Sequence, residues 1–120
     1  MAYVFIRPAS DRDEYVIWDT EFEHFAAYGD RAEIAKDMEA IHPVGPPVEP
    51  RLRRADKTGS SAMGGWRFGQ WHHGALIYEQ RGYLPRRHLY RAAALQIEGR
   101  HAEVWDLLEP LEDGMEVRRG

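Results

Sequence analysis

The chain has 120 residues, 43% of them apolar and 30% charged, and no cysteine. A length of that order is one domain able to bury about two-thirds of its unfolded surface, and the composition excludes a disordered tail, a disulfide framework, a thiol nucleophile and a thiolate metal site. The net charge of −4 conceals a segregation: residues 1–50 carry 4 basic and 11 acidic groups, residues 51–91 carry 9 and 2, and residues 92–120 carry 3 and 7.

The N-terminal apolar run is too short for a signal peptide, and nothing approaches the roughly 20 apolar residues of a membrane-spanning helix. A soluble, cytoplasmic protein with no membrane contact is therefore expected. Tyr3 to Arg7, rich in aromatic and β-branched residues and stopped by Pro8, predicts a first strand. Tyr15 to Trp18 predicts a second, pairing with it as a hairpin across Ala9 to Asp13. Phe22 to Tyr28 predicts a third with imperfect alternation, broken by Gly29. Asp30-Arg31-Ala32-Glu33 then has the form of a capping box. Ile34, Met38 and Ile41 follow on one helical face until His42-Pro43 ends the helix.

Pro43 to Pro50 holds four prolines and predicts a stiff, extended connection. Arg51 to Ser61 continues it as a basic, mobile loop, so residues 43–63 are expected to lack secondary structure. From Gly64 the chain turns aromatic. Trp66, Phe68 and Trp71 predict one strand of a hairpin, with His72-His73-Gly74 as its turn and Ala75 to Gln80 as the return strand. Pro85 suits a first helical position, and Leu89, Ala93 and Ile97 repeat every four residues until Gly99. A second helix over about His101 to Glu109 carries Val104, Trp105 and Leu108. The run from Ala93 through Gly99 to Leu108 resembles part of a tetratricopeptide repeat. With no second copy it is read as a lone helical hairpin packed on the sheet. Residues 114–120 predict a frayed tail. The whole is expected to be a single α+β domain over 1–120: a small, mainly antiparallel sheet packed by one helix and a C-terminal αα-hairpin.

Arg81, Arg86, Arg87 and Arg91 crowd the predicted helix start at Pro85. A helix N-terminus already carries partial positive charge and unpaired amides, so arginines there call for an anionic counterpart. Two readings stay open. The counterpart is either the acidic segments of the chain itself or an external anion, whether an acidic protein partner, a phosphate-bearing ligand or nucleic acid. For Trp66, Phe68 and Trp71 the alternatives are core packing and an aromatic contact patch. The basic stretch Arg51 to Lys57 adds to the ingredients for nucleic acid, but no helix-turn-helix, zinc-finger or RNA-recognition signature is present. Six histidines form no His-x-x-x-His pair, and Ser10, Ser60 and Ser61 stand in no nucleophile motif. No catalytic residue, metal ligand or cofactor is assigned. A small hydrolase or metal enzyme stays the third class.

The chain has 14 arginines, 2 lysines and no asparagine, a bias typical of GC-rich coding. The segments Tyr28-Gly29-Asp30-Arg31-Ala32-Glu33 and Arg81-Gly82-Tyr83-Leu84-Pro85 resemble small uncharacterised proteins of actinobacteria and their phages. That resemblance implies an accessory protein acting by binding something in a host cell. The leading expectation is a non-enzymatic regulatory or accessory protein that grips an acidic partner through Arg81, Arg86, Arg87 and Arg91, with a homodimer also compatible with so aromatic a chain.

Overall fold

The computed structural model describes residues 3–63 and 68–111. The β-branched and aromatic N-terminal third forms an antiparallel sheet in the order β1 (Tyr3–Ile6), β2 (Tyr15–Asp19), β3 (His24–Gly29). Pleating sends Val4, Ile6, Val16 and Trp18 to one face and Phe5, Tyr15 and Ile17 to the other. All five residues of β2, the central strand, are buried. The broken alternation of the third strand has a cause. Pairing jumps from Ile17–Ala27 to Trp18–Phe25, leaving Ala26 as an extra residue in a bulge. Phe25 thereby joins the Val4–Trp18 face while Ala27 joins the opposite one.

Two helices cover the Phe5 face. In α1 (Arg31–Ile41) both halves of the capping box form: the Asp30 carboxylate accepts from the Glu33 amide at 2.8 Å, and the Glu33 carboxylate accepts from the Asp30 amide at 2.9 Å. Ile34 and Met38 are buried beneath it. The second helix, α2 (Val48–Thr58), corrects the expectation that residues 43–63 lack secondary structure. Its prolines sit where a helix tolerates them. Pro47 is the N-cap and Pro50 lies in the first turn, where backbone N–H groups have no intrahelical partner to lose. Val48, Leu52 and Ala55 pack inward at helical spacing, and Gly59 ends the helix at φ +92°.

The other face carries a hairpin of β4 (Ala75–Tyr78) and β5 (Gly82–Pro85), a 3₁₀ turn (Arg86–His88), α3 (Leu89–Ile97) and α4 (His101–Asp106). Leu76, Tyr78, Leu84, Leu89, Ala92, Ala93, Leu95 and Val104 join Trp18 and Phe25 in one core. The hairpin thus forms one strand-length later than expected: residues 68–71 are irregular, and the aromatic stretch contributes no strand among the described residues. Trp66 and the 114–120 tail lie outside those residues. The core stripe of α3 runs through Leu89, Ala92, Ala93 and Leu95, while Ile97 is exposed. Past α4, Glu109 returns to pair with Tyr83 on the edge of β5, in place of the helical turn expected there. The architecture is α+β with a small antiparallel sheet. No helix among the described residues is long and apolar enough to cross a membrane.

Both edges of the three-stranded sheet are closed. Residues 59–61 run along β1, where the Arg7 amide donates to the Gly59 carbonyl, the Ser61 amide to the Phe5 carbonyl and the Phe5 amide to Ser61 Oγ, each at 2.9 Å. Along β3 a side chain does the work of a strand. Gln96 of α3 accepts from the Phe25 amide at 2.7 Å and donates to the Phe25 carbonyl at 2.8 Å, while Tyr78 donates to the same Gln96 oxygen at 3.0 Å. Gln96→Met keeps the volume and strands all three groups. It is expected to cost about 3 kcal/mol in urea unfolding with an unchanged m-value.

Tyr15 ties the sheet to α2 by donating to Asp56, which also pairs with Arg31 at 2.9 Å. Burial, then the bond to Asp56 and its negative charge, push the Tyr15 hydroxyl up from 10 to about 12. The folded state therefore binds this proton more tightly than the unfolded chain does. Its contribution to stability is complete below pH 10 and is lost as pH rises through about 12. Unfolding free energies measured between pH 9 and 12 are expected to fall, with a shallower slope in Tyr15→Phe.

Candidate functional site: an arginine-lined cleft

β5 ends at Pro85, and the chain tightens into the Arg86–His88 turn before α3, with no side-chain cap at either start. The four arginines singled out from the sequence meet different fates here. Arg86 turns inward, and its planar fork donates to five main-chain carbonyls. Pro8 O lies at 2.9 Å, Gln70 O at 3.0 Å and Gly59 O at 3.5 Å, with Arg7 O and Gly69 O closer still. Trp71 covers it at 4.8 Å from ring centroid to guanidinium carbon. Burial pulls the group down to about 10, which leaves it charged at neutral pH. The counterpart demanded by the sequence is thus internal, but it is made of carbonyl dipoles and not of carboxylates.

Arg81 lies in the turn between β4 and β5 and stacks over the Trp105 ring of α4 at 4.0 Å. Arg87 is exposed and approaches Glu109 at 3.7 Å, a solvated pair of little energetic weight. Arg91, one helical turn further on, makes no ion pair among the described residues.

Arg87 and Arg91 line a cleft of about 360 Å³ together with Arg12, Arg100, Glu14 and Glu98. Among the described residues four guanidinium groups line it against two carboxylates, a formal charge of +2. Arg12 enters from the β1–β2 turn and Arg100 from the α3–α4 turn. Arg12 meets Glu14 only at 3.8 Å, whereas Arg100 is held by Glu98 at 3.3 Å and by both oxygens of Glu103. Arg81 and Arg86 do not line it. Sequence reasoning missed Arg12 and Arg100. Arg100 stands one residue after the helix-ending glycine and was within reach of the pattern, while nothing local marks Arg12, which is brought in by the fold.

Of the aromatic candidates, Trp71 donates its indole N–H to the Lys57 carbonyl at 3.0 Å and seals Arg86, and Phe68 packs against the core. Both serve packing. Of the histidines, His24 sits 3.5 Å from Glu79, the His42 ring lies 6.0 Å from that of Tyr3, and the His72 and His73 rings are 6.2 Å apart. Among the described residues no group of three or more His, Asp or Glu side chains is placed to hold a metal ion.

Comparison with protein-family models, with curated proteins and with solved structures finds no match to this chain.

Removing the Arg86 fork leaves several carbonyls without donors, so Arg86→Met is expected to cost about 3 kcal/mol and Arg86→Lys about 2 kcal/mol. Arg87→Met and Arg91→Met are expected to stay within about 0.5 kcal/mol. Chemical denaturation of the four variants checks the division between a structural arginine and two surface ones.

Proposed function

We propose that the protein is a non-enzymatic accessory or regulatory protein that binds an acidic protein segment in the Arg12–Arg87–Arg91 cleft. The observation that carries this reading is the lining of the cleft, four guanidinium groups against two carboxylates among the described residues, with Arg91 making no ion pair there although its charge is felt by Glu103. Arg87 of the 3₁₀ turn and Arg91 of α3 both line the cleft, so both can reach one partner. Arg12 and Arg100 line the same cleft from two other turns. Planar forks suit carboxylates presented along a peptide, and the local excess of positive charge steers an acidic segment to the cleft although the protein is acidic in sum. The setting consistent with such a role is the cytoplasm, and the segments Tyr28 to Glu33 and Arg81 to Pro85 resemble small uncharacterised proteins of actinobacteria and their phages.

A Glu-rich peptide titrated into isotopically labelled protein is expected to shift the resonances of Arg12, Arg87 and Arg91. Arg87→Glu/Arg91→Glu is expected to abolish the shifts while the melting temperature moves by no more than about 3 °C. Nucleotides and short DNA titrated at low and moderate salt test the phosphate alternative. Tighter binding of these than of the peptide, with affinity falling steeply as salt rises, would replace the acidic segment with a phosphate-bearing ligand.

A further inference from the structure

A second concavity, of about 270 Å³, opens between β1, α2, residues 61–63 and Phe68. Its floor and rim are apolar: Val4, Ala62, Met63 and Phe68 contribute, and Met63 is 62% exposed at the mouth. Among the described residues the formal charges on its wall are two arginines from successive turns of α2, Arg51 and Arg54, with no carboxylate. Neither arginine makes an ion pair among the described residues.

The two forks are only partly used. Arg51 donates through Nη2 to the Tyr3 carbonyl at 2.7 Å and lies over the Phe5 ring at 5.2 Å, but its Nη1 is buried with no acceptor. Arg54 donates through Nη1 to the Ser61 carbonyl at 2.7 Å, and the rest of its fork has no acceptor among the described residues. Burial, and then the neighbouring charge of Arg54, push the Arg51 guanidinium below its ordinary value, the direction an incoming anion would reverse. A buried donor without an acceptor costs on the order of 1–3 kcal/mol. Folding that held this cationic pair beside an apolar pocket simply for packing would have been better served by an apolar residue.

We infer that this pocket binds a small amphipathic carboxylate, with its acid group on the Arg51–Arg54 pair and its apolar body over Val4, Ala62, Met63 and Phe68. Pockets for drug-sized ligands begin at roughly 300 Å³, so a short-chain or single-ring acid is the appropriate size. The charge pattern chooses the head group. A neutral molecule of the same shape would leave both guanidinium groups unanswered, and an amine would be repelled. This site is separate from the arginine cleft and does not depend on how that cleft is used.

The test is calorimetric titration of the full chain with octanoate and, in parallel, with octanol. Saturable octanoate binding is expected, with octanol weaker by about tenfold or more, a difference of about 1.4 kcal/mol. Arg51→Met is expected to remove the preference for the acid while retaining octanol binding. Because Arg51 also holds the Tyr3 carbonyl, Met63→Glu provides a second variant at an exposed position. Its carboxylate at the mouth is expected to exclude octanoate without changing the melting temperature. Absence of saturable octanoate binding, equal affinity for octanol, or octanoate affinity unchanged in Met63→Glu would each overturn the assignment.

Discussion

The interaction on which the rest of the structure depends is the capture of one guanidinium group by main-chain carbonyls. Arg86 reaches residues 7 and 8 beyond β1, residue 59 at the end of α2, and residues 69 and 70 ahead of the second hairpin. The Gly59 and Gln70 carbonyls also accept from the Arg7 and His73 amides, and a planar fork with five N–H donors is the side chain able to reach all five carbonyls at once. Lysine presents a point charge and three donors from one atom, so it cannot span the same array. The Trp71 ring over the fork excludes water and strengthens every one of these bonds. The cleft inherits its geometry from this junction. The turn carrying Arg12 and the turn carrying Arg87 are fastened to one another through Arg86.

What was legible in the sequence was local. The hairpin of β1 and β2, the capping box at Asp30 and the left-handed Gly99 at φ +83° each rest on a few adjacent residues whose chemistry dictates one conformation. The irregular alternation before Gly29 was visible too, though its cause, the bulge at Ala26, needs the partner strand. The helix α2 was hidden by its prolines, because proline counted by composition argues against a helix while proline in the first turn does not. Val48, Leu52 and Ala55 carried the helical period all the same. The arginine cluster was legible as an anomaly but not as a site. Of its four members Arg86 is structural, Arg81 rests on an aromatic ring, and Arg87 and Arg91 remain to line the cleft. Contacts between residues nearly 80 positions apart decided that division, and no periodicity encodes them.

The basic middle and the acidic ends do meet, but sparingly, as where Arg87 approaches Glu109 at 3.7 Å. Asp56 and Glu49 hold Arg31, and the bidentate contact with Glu49, helped by the bond to Asp56, raises the Arg31 guanidinium above its ordinary value against the opposing effect of burial. Elsewhere the basic residues of the middle of the chain donate to carbonyls: Arg51 to Tyr3, Arg54 to Ser61, Arg86 to its five acceptors. Carbonyl oxygens stabilise a cation without cancelling its charge. The protein is acidic in sum, yet positive potential survives on two of its concave surfaces, where a fully ion-paired arrangement would have left none.

The long reach of the Arg86 contacts has a kinetic consequence. The sheet and α1 join residues close in sequence and can assemble with small loop-closure entropy, whereas the Arg86 bonds to residues 7 and 8 close loops of 78 and 79 residues. Those closures belong after the rate-limiting barrier, when strand, helix and hairpin already stand in place. Loss of the Arg86 fork should then show in how fast the molecule comes apart, leaving the speed of its assembly nearly untouched.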